Sequence, residues 1–88
     1  MKTYRLYIGS NNTTHKLESA KIDAILSQFF TGYTMYHAKG VWRGARENTA
    51  IIEANAPKTL VMRAIARLKH DLKQEAIGYQ VMPALSFA

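Results

Sequence analysis

The chain has 88 residues, 48% of them hydrophobic, which suffices for one domain around one core and leaves part of the apolar surface uncovered, so self-association is expected. It contains no cysteine, which excludes disulfides, thiolate metal sites and a thiol nucleophile and fits a reducing cytoplasm. Lysine and arginine number 12 against 6 acids, a formal charge of +6 that favours anionic partners such as phosphates, nucleotides or nucleic acid.

The first residues, "MKTYRLYIGS", alternate polar with apolar and lack both the continuous apolar segment and the cleavage site of a secretory signal. No run is long enough to span a membrane, so no membrane partner is expected. In "TYRLYIG", Tyr4, Leu6 and Ile8 share one side and Arg5 and Tyr7 the other, as in a strand with one face on a core that ends at Gly9. "SNNTTHK" gathers turn formers and helix caps. Behind it Ile22, Ile25, Leu26, Phe29 and Phe30 recur at helical spacing, which predicts a helix over 16–30.

Thr31 and Gly32 interrupt that pattern, and "YTMYHAKGVW" reads as a second strand ending near Gly40 or Trp42. "RGARE" reads as a turn. "NTAIIEA" gives a third strand, with Ala50, Ile52 and Ala54 on the face under the helices and Thr49, Ile51 and Glu53 on the other. Pro57 suits the start of a helix. "PKTLVMRAIARLKHDLKQEA" then places Leu60, Val61, Ala64, Ile65, Leu68 and Leu72 on one stripe, Gly78 lies beyond its end, and Pro83 limits the last strand to an edge, a bulge or a break. The order is β-α-β-β-α-β, a single α+β domain over 1–88 of ferredoxin-like type, with two helices on one face of a four-stranded antiparallel sheet. If Tyr7, Ile51 and part of strand two line the other face, it is too apolar for water and should meet nucleic acid or other subunits.

Candidate chemistry concentrates in 39–54. Arg46 and Arg43 favour the charged form of Glu47, making it a fixed negative charge, either a hairpin charge pair or a carboxylate that recognises a cationic or hydroxyl group on a ligand. A tryptophan near a strand end is more often a packing anchor or an interface residue than a stacking platform. Yet Trp42 with Arg43, Arg46, Gly40 and Gly44 offers an aromatic plane, cations and flexible glycines that could close over a phosphate or nucleoside. Tyr36 reads as an ordinary strand tyrosine that could also turn its hydroxyl to a ligand.

His15, His37 and His70 lack metal-binding spacing, so no metal is expected, and nothing in the chain asks for a cofactor. Ser10, Ser19, Ser27 and Ser86 lie in no nucleophile elbow. "IGSNNTTHK" lacks the phosphate-loop pattern; helix capping is its simpler use, with anion binding at the helix start, helped by Lys16, as the alternative. Lys58, Arg63, Arg67, Lys69 and Lys73 make the second helix basic, partly offset by Asp71 and Glu75, which reads as a solvated face.

Two resemblances follow. "LYIGSNN" resembles the shorter ribonucleoprotein motif of RNA-recognition-motif domains, which share this element order; strand three, "NTAIIEA", lacks the aromatics on which bases would stack. "GVWRGARENTAIIE" resembles the glycine, aromatic, glycine, glutamate hairpin of phage enzymes that degrade S-adenosylmethionine and, less closely, a small lipoprotein family with Gly-x-Trp and Glu-x-Ser patterns. Both are similar in topology to PII-like trimeric proteins.

The second resemblance implies a homotrimer with ligand clefts between subunits for an adenine-containing molecule such as S-adenosylmethionine. It also implies lyase chemistry in which the substrate's own carboxylate attacks the carbon next to the sulfonium, giving methylthioadenosine and homoserine lactone. In that alignment Glu47 is the hairpin acid, Tyr36 the strand-two tyrosine near the substrate, and Trp42 stands where a tyrosine is common. A further carboxylate of those lyases has no clear counterpart, Glu75 being the nearest candidate. Readings of other classes are a single-stranded nucleic-acid module using the open sheet and an interaction protein with no ligand.

Overall fold

Six elements follow one another in a computed structural model that describes all 88 residues: β1 (Lys2–Gly9), α1 (Ser19–Leu26), β2 (Thr34–Trp42), β3 (Ala45–Ala56), α2 (Lys58–Leu72) and β4 (Gly78–Met82). The strands form one antiparallel sheet in the order β2-β3-β1-β4, the expected ferredoxin-like arrangement. No helix is long and apolar enough to cross a membrane.

The period-two pattern of the central strands builds the core. Tyr4, Leu6 and Ile8 of β1 lie opposite Ala54, Ile52 and Ala50 of β3, and all six are buried. The alanines on either side of Ile52 lower the floor of the sheet, and the larger side chains of the helices fill the space above it. Ile22, Ile25 and Leu26 of α1 and Val61, Ala64, Ile65, Leu68 and Leu72 of α2 close this core, with Phe30 and Ile77 at its margins.

α1 is shorter than its apolar spacing predicts, and α2 ends at Leu72, the last residue of its apolar stripe. α1 begins at Ser19 because the preceding segment spends its polar groups on itself: the Asn11 side-chain oxygen accepts from the amides of Thr13 and Thr14, at 2.8 and 2.9 Å. It ends at Leu26, where the Gln28 and Phe29 amides reach back only three residues, to Ile25 and Leu26, and tighten the chain. α2 starts after Pro57, whose carbonyl accepts from Leu60 and Val61, and stops at Lys73, which takes the left-handed conformation (φ 55°) without a glycine. Gly78 is not its cap; it is the first residue of β4, and that strand ends at Met82, directly before Pro83.

The turn between β2 and β3 is also tighter than "RGARE". It consists of Arg43 (φ 49°) and Gly44 (φ 79°), the two positive values that a two-residue hairpin turn of the twisted type requires. Arg46 and Glu47 therefore belong to β3. The open face is less apolar than expected: Arg5 pairs with Glu53 at 2.8 Å, Tyr36 donates to Glu53 at 3.1 Å, and the Tyr7 hydroxyl donates to Gln80 at 2.6 Å. Ile51, packed between Tyr7 and Tyr36 in the strand register, is the buried apolar side chain of this face.

Ile52 is fully buried in the central strand, whereas Val81 is 47% exposed on an edge strand. Urea unfolding should show a loss of about 3 kcal/mol for Ile52→Ala and of less than about 1 kcal/mol for Val81→Ala.

Candidate functional site

The hairpin of β2 and β3 is longer than its neighbour. β1 stops at Gly9, paired with Thr49, while β2 and β3 stay paired out to Trp42 and Ala45. The overhanging end of the hairpin faces two loops, residues 10–15 on one side and 73–77 on the other. Between them lies a pocket of about 600 Å³ with Thr49, Ile51 and Tyr7 among its floor residues, Gly40 and Trp42 along β2, and Gln74 to Ile77 opposite. That volume suits a ligand of nucleoside size or somewhat larger.

Glu47 sits on the open-face side of β3, half-buried, and lines this pocket. The expected hairpin charge pair does not form, because once Arg46 and Glu47 join a strand their side chains leave on opposite faces. Arg43 instead reaches Glu75 at 3.4 Å, a mostly exposed and hence weak ion pair, and Glu47 has neither a salt bridge nor a hydrogen bond. Its carboxylate rests over Gly9: a Cβ there would lie 2.7 Å from one carboxylate oxygen and 2.8 Å from the other. A Cβ on Gly40 would meet the Thr49 hydroxyl at 2.6 Å. The two glycines thus leave the room that Glu47 and Thr49 occupy.

Trp42 is not a packing anchor. It is 55% exposed, since the sheet beneath it has run out, and its ring lines the pocket with the Arg43 guanidinium 5.4 Å from the ring centroid. Gly44 stays in the turn. Arg46 lines a smaller recess on the other side of Glu47, with His15 and Asn12. Tyr36 lies outside the pocket wall, although it shares the open face and pairs with Ile51 of the floor. Partial removal from water, and then the hydrogen bond it donates to the Glu53 carboxylate, hold its phenol above the ordinary tyrosine value.

Gly9, Thr49 and Gln74 were not legible as site residues. The Gln74 side-chain amide donates to the Gly9 carbonyl at 2.7 Å and ties the 73–77 loop to the end of β1. For Gly9 a signal existed: a glycine on the face that carries Arg5 and Tyr7, which in a strand often marks a close approach. Because the atoms a Gly9 side chain would meet are the mobile end of Glu47, Gly9→Ala should leave the melting temperature within a few degrees of wild type. Its effect should appear in NMR spectra as shifts of the Glu47 side-chain resonances, with the β1–β3 amides little changed.

No protein-family model matches the chain, and no curated protein matches it. Among solved structures it is similar to a DUF3240 family protein from Shewanella baltica OS155, with a TM-score of 0.68 and 17% identity over 99% of this chain and 93% of that one. It is also similar to a phage SAM lyase in its apo state, with a TM-score of 0.62 and 18% identity over 98% of this chain and 84% of that one. At such identities the likeness is one of fold, a distant structural relationship that spans nearly the whole domain.

Proposed function

We propose that the chain binds a small cationic ligand with an aromatic ring, S-adenosylmethionine being the candidate, in the pocket at the end of the β2–β3 hairpin. The observation that carries this reading is Glu47, a half-buried carboxylate with no partner of its own beside an exposed tryptophan. Partial burial of an unpaired charge is unfavourable, and a cationic ligand would offset that cost. A sulfonium has a charge but no N–H to donate. It is matched by a fixed carboxylate among apolar walls, while Trp42 offers the plane on which an adenine can stack. The fold likeness to a phage SAM lyase supports the same ligand.

The assembly that accompanies this reading is a homotrimer with the pocket at a subunit boundary. Its support is the PII-like resemblance of the hairpin and the position of the pocket on the sheet face that no helix covers.

Lyase activity is a second reading, favoured by the same likeness. One ligand carboxylate oxygen would attack the carbon bonded to sulfur, the carbon–sulfur bond would break with its electron pair passing to sulfur, and methylthioadenosine and homoserine lactone would leave without a co-reactant. A negative and a positive charge disappear in that step, so an apolar wall favours it. A carboxylate next to the sulfonium stabilises the starting state more than the transition state. Glu47 would therefore contribute binding, and the apolar walls and orientation would supply rate.

Calorimetry should show S-adenosylmethionine binding about tenfold or more tightly than S-adenosylhomocysteine, which lacks the sulfonium charge, and Glu47→Gln should remove that preference. Equal affinities for the two compounds in wild type would overturn the role of Glu47. If turnover is detected as methylthioadenosine release, Glu47→Gln should raise KM with little loss of kcat. Native mass spectrometry at low micromolar concentration should give the mass of three chains.

A further inference from the structure

A smaller recess that holds Arg46 adjoins the main pocket. It shares Ser10, Asn12, Trp42 and Glu47 with the main pocket and adds Asn11, His15, Ala45 and Arg46, so the two depressions meet at Glu47. The balance of its walls differs from that of the main pocket: Arg46 and His15 stand beside Glu47 in the recess, whereas the larger pocket sets Glu47 and Glu75 against Lys39. Arg46 joins none of the four ion pairs of the chain and donates no side-chain hydrogen bond. Two neighbouring residues of β3 thus bring opposite charges, neither in an ion pair, to the recess, and Glu47 lines the main pocket as well.

The loop that forms the far wall is held in shape. The Asn11 carboxamide caps the Thr13 and Thr14 amides, the Asn11 amide donates to the Lys16 carbonyl at 2.9 Å, and the His15 amide donates to the Asn11 carbonyl at 2.8 Å, with His15 in the left-handed conformation. His15 therefore faces Arg46 from a bonded loop and not from a free strand of chain.

Resting on the function proposed above, we infer that this recess takes the acidic end of a zwitterionic ligand, with Arg46 pairing to its carboxylate while Glu47 faces its cation. The fork of N–H groups on a guanidinium matches the two oxygens of a carboxylate, and His15 adds a ring nitrogen beside it. The main pocket alone would accept any adenine-bearing cation. The recess adds a requirement for a carboxylate a few bonds from the positive centre, which is the charge pattern of an amino acid attached to a sulfonium.

The probes are S-adenosylmethionine and its decarboxylated analogue, which keeps the adenosine and the sulfonium and lacks the carboxylate. Each is titrated by calorimetry into the wild-type chain and into Arg46→Ala, at equal ionic strength because an exposed guanidinium is screened by salt. Wild type should prefer S-adenosylmethionine by about tenfold, the effect of one exposed charge-assisted contact, and Arg46→Ala should bind both compounds with similar affinity. Arg46→Lys, which keeps the charge and loses the fork, should retain part of the preference. If wild type binds both compounds equally, or Arg46→Ala weakens both by the same factor, the carboxylate assignment fails and the main pocket stands. If wild type binds neither compound, the parent reading fails and takes this one with it. Circular dichroism of the variants should match wild type, since Arg46 is exposed and contributes nothing to the core.

Discussion

The register of β1 against β3 is the constraint on which the rest of the molecule depends. With Ile8 opposite Ala50 and Gly9 opposite Thr49, the alternation of side chains sends Leu6, Ile8, Ile52 and Ala54 to the helices and Tyr7, Thr49, Ile51 and Glu47 to the open face. A slip of one residue would turn over the faces of whichever strand moved and put Arg5 or Glu53 into the core. The same register decides where β1 ends relative to the longer hairpin. The pocket is that difference in length, walled by the two loops that must cross it to reach the helix layer and the sheet edge.

The strand faces were legible because burial and period two agree from Tyr4 to Ile8 and, apart from Ile51, which is buried on the open face, from Ala50 to Ala54. The helix stripes were legible for the same reason, and the helix ends were not. Phe29 and Phe30 continue the apolar spacing of α1, but spacing cannot show that the backbone has already tightened into short-range turns. Likewise "RGARE" is mostly polar and contains a glycine, with nothing in it that marks a narrower turn. Only the pair Arg43 and Gly44 adopts the positive dihedrals, and arginine is not a residue whose presence predicts one of them. That one local choice moved Glu47 out of the turn and into a strand, away from both arginines that would have neutralised it. The pocket could not be read at all, since residues near 9, 42, 49 and 75 meet only in three dimensions.

Overall charge and local charge point in opposite directions here. A chain with a formal charge of +6 repels a distant cation, yet its main pocket sets two acids, Glu47 and Glu75, against one lysine, Lys39, which donates to Asn48, and Glu75 is partly engaged by Arg43. At physiological salt the long-range field fades within about 8 Å, so the groups lining the pocket decide what enters it. The basic side chains of α2 lie on the helix side of the sheet, where they keep the surface soluble. Composition alone favours anionic partners because it cannot weigh charges by their distance from the one concave site.

The two borders of the sheet are unequal. β4 is five residues long and ends before Pro83, a residue without an amide hydrogen, whereas β2 offers nine residues. Continuous growth from chain to chain needs two receptive borders, and this sheet has one of useful length. Copies that join through β2 use up that border in a single event, leaving only the short, proline-ended rim outward. Edge-to-edge growth into extended fibrils is therefore disfavoured, a property that resides in the length of the last strand and not in the core or the pocket.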